Sequence, residues 1–192
     1  MKKMINAVVL AAALTISIQG MAHEGLELGI GLGATHALTP DDFKSATKTG
    51  EANLYWLGYG FNSNWGVELS HESYDFDQLD SHYKNYSLSG VYTFFADSPI
   101  HPVAKLGFGV TEIISVFDVK TSAPQAKLGV GIEGDFKYVS VGALFNYIFA
   151  ARSNVNPGFE KGSVLIPAIY LTIHCTPIEK RVSKSAAPDK GE

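Results

Sequence analysis

The sequence predicts an all-β chain, an eight-stranded antiparallel up-and-down transmembrane β-barrel. Three observations predict it. Eight segments of about ten residues alternate apolar and polar side chains, the length at which a tilted strand crosses a bilayer. A secretory signal precedes them. The connections between them alternate long and short.

The signal occupies residues 1–22. Lys2 and Lys3 give the positive start, Ala7 to Ile18 the short apolar run, and Gly20-Met21-Ala22 a small-x-small cleavage site before His23. The barrel is expected over 23–175, and the polar stretch 176–192, with Pro177 and Pro188, as a disordered periplasmic tail. No stretch after the signal is apolar for long enough to be a spanning helix. Loss of Lys2 and Lys3 takes the formal net charge from -4 to -6. That acidity, with no basic patch for phosphates, argues against nucleic acid. Cys175 is the single cysteine, so no internal disulfide forms, and no cysteine spacing suits a metal.

Strand one is expected at Gly25 to Leu38, where Leu26, Leu28, Ile30 and Leu32 alternate with Glu27, Gly29, Gly31 and Gly33. A period of two places the large side chains on one face and the glycines on the other. Strand two, Thr49 to Phe61, is apolar in both parities, so its facing is ambiguous. Strand three, Trp65 to Tyr74, sets Trp65, Val67 and Leu69 against Gly66, Glu68 and Ser70. Strand four, His82 to Phe95, sets Tyr86, Leu88, Tyr92 and Phe94 against Asn85, Ser87 and Ser89. Strand five, Val103 to Ile114, opposes Ala104, Leu106, Phe108 and Val110 to Lys105, Gly107 and Gly109. Strand six, Gln125 to Ile132, opposes Leu128 and Val130 to Lys127, Gly129 and Gly131. Strand seven, Tyr138 to Phe149, opposes Val141, Phe145 and Tyr147 to Ser140, Gly142 and Asn146. Strand eight, Ser163 to His174, contains Pro167, which lacks a ladder donor and predicts a bulge or local break.

The longer connections are Thr39 to Lys48, Asp75 to Ser81, Phe117 to Pro124 and Ala151 to Gly162. The shorter ones are Asn62 to Asn64, Ala96 to Ile100 and Gly134 to Lys137. Alternation of this kind suits external loops and periplasmic turns.

A soluble barrel would show the same period with its apolar face inward. The polar face here is mostly Gly, Ser, Thr and Asn, where a water-facing surface would carry more Lys and Glu. Aromatic residues gather near strand ends. Trp65, Tyr74, Phe94, Phe95, Tyr138 and Phe149 read as interface girdles. In hydrocarbon every backbone polar group needs a partner, so the sheet must close on itself.

The signal, the alternating segments and the run Leu26-Glu27-Leu28-Gly29-Ile30-Gly31-Leu32-Gly33 resemble the small outer-membrane barrels, namely the OmpA transmembrane domain, OmpX and OmpW types. The resemblance implies an outer-membrane location in a Gram-negative envelope. It also implies outer-membrane lipid and lipopolysaccharide as partners, with the barrel-assembly machinery acting during biogenesis. Members often end in a strand with a terminal Phe. Here the alternating Ala168 to His174 is followed by further chain.

The expected inward charges are Glu27, Glu68, Lys105, Lys127 and Glu133, which should pair because an isolated charge away from bulk water is costly. Such a set would act as a structural plug or as a charged gate. Eight strands leave little free radius, which favours the plug. Asp75, Asp77 and Asp80 form an acidic loop, but the sixth and twelfth places of an EF-hand would fall on Asp80 and Tyr86, which excludes that motif. The remaining histidines have no zinc-like spacing, and no metal or cofactor is expected. His71-Glu72-Ser73 is similar in spacing to the His-x-Ser pair of barrel-type lipid A deacylases, though it lies in strand three rather than late in the chain. The function expected is therefore an outer-membrane barrel without enzymatic activity, in envelope integrity or surface interaction. The alternatives are a narrow OmpW-like channel for small or apolar solutes, a lipid A-modifying enzyme, and a soluble periplasmic ligand-binding barrel.

Overall fold

The computed structural model describes residues 24–39, 49–76, 79–114, 120–151 and 162–175. The segment expected to be a signal, the stretch expected to be a tail, Asp77 and most of the longer loops lie outside these residues. Eight strands close into one antiparallel barrel in sequence order. They are β1 (Gly25–Thr39), β2 (Thr49–Gly60), β3 (Trp65–Phe76), β4 (Leu79–Thr93), β5 (Ile100–Ile114), β6 (Lys120–Phe136), β7 (Val139–Ala150) and β8 (Gly162–His174). β8 pairs with both β7 and β1, so no edge is left unpaired. Both ends of the barrel segment lie at one rim, called here the near rim. β3 and β4 meet at the far rim.

The wall is inverted relative to a soluble protein. Leu32 (64 % exposed), Phe108 (67 %) and Ile169 (69 %) stand outward, while lysines, glutamates and asparagines are buried inside. An outer surface of this kind needs hydrocarbon around it. The facing of β2 is resolved: Leu54 and Trp56 point in, and Tyr55, Leu57 and Tyr59 point out. Room for these large inward residues comes from β1. Gly29 sits directly opposite Trp56, and a Cβ there would fall inside the indole ring. Gly29→Val is expected to cost about 1–3 kcal/mol through overpacking, read as a lower urea midpoint in lipid vesicles.

The far-rim connections differ from expectation. Asp75 to Ser81 and Phe117 to Pro124 were expected as loops, yet β3 runs to Phe76, β4 starts at Leu79 and β6 starts at Lys120. These hairpins continue past the apolar band because the ladder keeps backbone groups paired whatever the side chains face. At the near rim, Asn62 Oδ1 accepts from the backbone N–H groups of Asn64 and Trp65, both at 2.9 Å, and closes the β2–β3 turn. β8 is continuous through Pro167, which pairs with Phe145. On the β1 side the ladder lapses opposite Ala34 and Thr35 and resumes at His36↔Leu165 in the same register. The one-residue shift comes later, at Ala37/Thr39.

Candidate functional site

The lumen is filled by a charged core between two aromatic layers. β3 supplies Glu68, Ser70 and Glu72, which alternate inward on one strand. β5 supplies Lys105 and β6 supplies Lys127. Lys105 Nζ donates to Glu68 Oε2 in a short ion pair. Lys127 Nζ lies 3.2 Å from Glu72 Oε1 and 3.6 Å from Glu68 Oε1, and donates to Ser70 Oγ at 2.6 Å. Asn146 and Asn85 donate their amides to the Glu72 carboxylate at 3.1 and 3.4 Å. Two lysines and two glutamates therefore neutralise one another, with hydrogen bonds on the remaining oxygen lone pairs. A buried ion set needs both conditions. The Lys105 ammonium also lies 4.7 Å from the Trp56 ring centroid and 5.7 Å from that of Tyr170.

Nearer the termini a second polar cluster lies in the lumen. Tyr170 Oη donates to Glu133 Oε2 at 2.7 Å. His101 stands between Glu133 and Asp135, at 3.6 and 3.7 Å from their carboxylate oxygens. Ser140 Oγ lies 2.6 Å from Asp135 and 2.7 Å from His174 Nε2, and His174 Nδ1 is 3.6 Å from Glu27. The metal-ligating atoms of His101, Glu133 and Asp135 lie within 4.8 Å of one another. The two ring nitrogens of His101 face different carboxylates at ion-pair distance, and Nδ1 makes its hydrogen bond to the Ser98 carbonyl at 3.2 Å. At the far rim Tyr74, Phe76 and Tyr83 pack together, with Tyr74 and Tyr83 stacked at 5.2 Å.

The five inward charges named from sequence thus fall in two groups. Glu68, Lys105 and Lys127 meet directly, whereas Glu133 and Glu27 belong to the near-rim cluster. The inward set expected from sequence lacks Glu72, His101, Asp135 and His174. Glu72 has the parity of Glu68, and His101 has that of Lys105, so strand parity was the available signal. Among the aromatic residues expected at the interface, Trp65, Phe94, Phe95, Tyr138 and Phe149 are exposed. Tyr74 is a correction: it is 3 % exposed and lines the lumen, because it shares parity with Glu68 and Glu72 rather than with Trp65.

Outside the wall, aromatic residues form two bands. Trp65, Tyr92 and Phe94 pack in sequence near the termini, with centroids 4.6 and 4.7 Å apart. Towards the far rim His71 stacks between Tyr55 and Tyr86, at 6.3 and 4.8 Å. His71 therefore belongs to the outer aromatic band, and no hydrogen bond joins it to Ser73. The hydroxyl of Ser73 instead meets His82, across the β3–β4 hairpin.

A family model for the outer membrane protein beta-barrel domain matches residues 8–159. No curated relative matches the chain in sequence. Among solved structures, Neisserial surface protein A is similar in fold, with a TM-score of 0.66 and 12% identity over 78% of this chain and 97% of that one. The N-terminal barrel domain of Pseudomonas aeruginosa OprF is similar with a TM-score of 0.53 and 18% identity, over 78% of this chain and 97% of that one. With its closed eight-stranded wall, apolar outside and charged within, the chain belongs to the outer-membrane β-barrel domain family and is a protein of the outer membrane.

Proposed function

We propose that the barrel is closed to solutes, its lumen a structural plug without enzymatic chemistry, and that the protein serves envelope integrity or surface interaction through its wall and loops. The observation that carries this reading is the locked pair of lysines. Lys105 and Lys127 are buried, each is held by glutamate, and aromatic layers lie on either side of them. A conducting path would need mobile, hydrated charge in the place where these side chains are fixed. In this reading the termini face the periplasm, the far rim faces outward, and lipopolysaccharide and outer-leaflet lipid surround the far-rim wall.

Planar-bilayer recording tests the plug. Purified folded protein is expected to leave the current at the level of the bare bilayer. Reproducible unitary steps, altered by Lys105→Met, would replace the plug with a narrow, charge-gated channel.

A further inference from the structure

Ser73, Asp75 and His82 all stand on the outer wall. Ser73 and Asp75 share the outward parity of Trp65 and Leu69 on β3. His82 is the register partner of Asp75 on β4. The Ser73 hydroxyl lies 3.2 Å from His82 Nε2, and His82 Nδ1 forms a short contact with Asp75 Oδ1. A carboxylate only accepts, so in the neutral ring the proton sits on Nδ1. Nε2 is then left as the acceptor for the Ser73 proton. That polarity is what activation of a serine nucleophile requires.

The backbone is arranged to hold Asp75 there. The β3–β4 register shifts between Asp75 and Phe76. Thr35 Oγ1 donates to the Asp75 carbonyl at 3.3 Å, and Gly50 lies where any Cβ would collide with that carbonyl. Asp75 stands ten residues beyond Trp65 on β3, about 33 Å of strand, or about 25 Å of height at a tilt near 40°. That is the height of the apolar band. The three residues therefore sit where lipid esters lie, with the apolar wall below them.

We propose that Ser73, His82 and Asp75 form a hydrolytic triad on the lipid-facing wall that cleaves a long-chain carboxylic ester of an outer-leaflet lipid. Ser73 Oγ attacks the ester carbonyl and its proton passes to His82 Nε2. The carbonyl–alkoxy bond breaks, and the alcohol leaves with that proton. Water then gives a proton to His82 and its hydroxyl to the acyl carbon. The acyl–Ser73 bond breaks, releasing the fatty acid and restoring the serine. Asp75 is a positioning residue, which fixes the His82 tautomer and balances the imidazolium. Backbone N–H groups in a closed ladder are already committed, so side chains must hold the oxyanion. Asn53 and Lys84, the register partners of Ser73 on β2 and β4, are placed for it.

A serine, a histidine and a carboxylate also meet inside the barrel, as Ser140, His174 and Glu27, yet that set is structural. Ser140 is 0 % exposed and its hydroxyl also reaches Asp135, so no substrate can approach it. The outer set differs in access: the side chains of His82 and Asp75 are 37% and 64% exposed. The outer-leaflet assignment rests on the orientation proposed above, far rim outward, and not on the plug. The histidine beside Ser73 is thus His82, across the hairpin, and not His71 two residues before it.

The test is fatty-acid release, measured by mass spectrometry, from the full folded chain with two probes: phosphatidylethanolamine vesicles and purified lipopolysaccharide. Release from either probe is expected, and which probe responds identifies the lipid source. Ser73→Ala and His82→Gln should each reduce release by about 10²–10⁴-fold while keeping the heat-modifiable migration of a folded barrel. Asp75→Asn should lower the rate, with partial rescue by Asp75→Glu. A fluorophosphonate probe should label the native chain at Ser73. No release from either lipid by a folded barrel would overturn the proposal. Undiminished release by Ser73→Ala would do the same, as would loss in His71→Gln with retention in His82→Gln.

Discussion

Lys127→Met is expected to destabilise the barrel by about 3–5 kcal/mol, the cost of breaking a buried ion set from one side. Lys127 is 2 % exposed, and its ammonium serves Glu72, Glu68 and Ser70 at once. Methionine replaces most of the aliphatic stem, so the loss isolates charge rather than volume. Glu68 keeps Lys105, but Glu72 is left with the two asparagine amides. The double variant Lys127→Met/Glu72→Gln should recover more than about 1 kcal/mol of the loss, because it removes the stranded carboxylate along with its partner. Urea unfolding in lipid vesicles, followed by the heat-modifiable band shift, measures both. A single-variant loss below about 1 kcal/mol would mean that water reaches the network.

Trp56→Ala should produce a loss of similar size, about 3–5 kcal/mol, through a different cause. The indole fills the space left by Gly29 on β1, meets Tyr170 edge to face at 5.4 Å and carries the Lys105 ammonium on its ring. Removing it leaves a cavity beside a buried cation. Because the volume comes from a glycine–tryptophan register pair, exchanging the sizes should restore part of it. Gly29→Leu/Trp56→Ala is expected to be more stable than Trp56→Ala alone, although Gly29→Leu by itself is destabilising. The same urea series checks the sign. If the double variant were the least stable of the three, the pair would not share one space.

The barrel was legible because lipid imposes the period. Every strand between its aromatic ends must show apolar residues outward, and β4 to β7 display that without ambiguity. Where the lumen itself takes apolar residues the signal fades. Leu54 and Trp56 blurred β2 because they pack against the glycines of β1, a register fact absent from either segment alone. Strand ends were less legible still. Past the apolar band the outward face turns polar while Tyr74, Phe76 and Tyr83 still pack inside, so the outward apolar cue stops before β3 and β4 do. A β5 starting at Val103 leaves His101 outside the strand, and alternation puts His71 and Ser73 on one face of β3 with Glu72 on the other, the face of Glu68. The contact of Ser73 with His82 depends on the hairpin turning between Phe76 and Leu79, which a loop drawn from Asp75 to Ser81 dissolves.

Closure between β1 and β8 also has a kinetic side. Glu27 pairs in register with His174, so the contact that completes the wall joins residues almost the full barrel sequence apart. Such non-local pairing is slow to form, since loop-closure entropy must be overcome before it is rewarded. Until β8 is in place, β1 and β7 are bare edges with unpaired amides and carbonyls. A chain halted before Gly162 would present two adhesive strands to its neighbours. Biogenesis of this wall is therefore a race between seam formation and strand exchange, ended when β8 docks against β1.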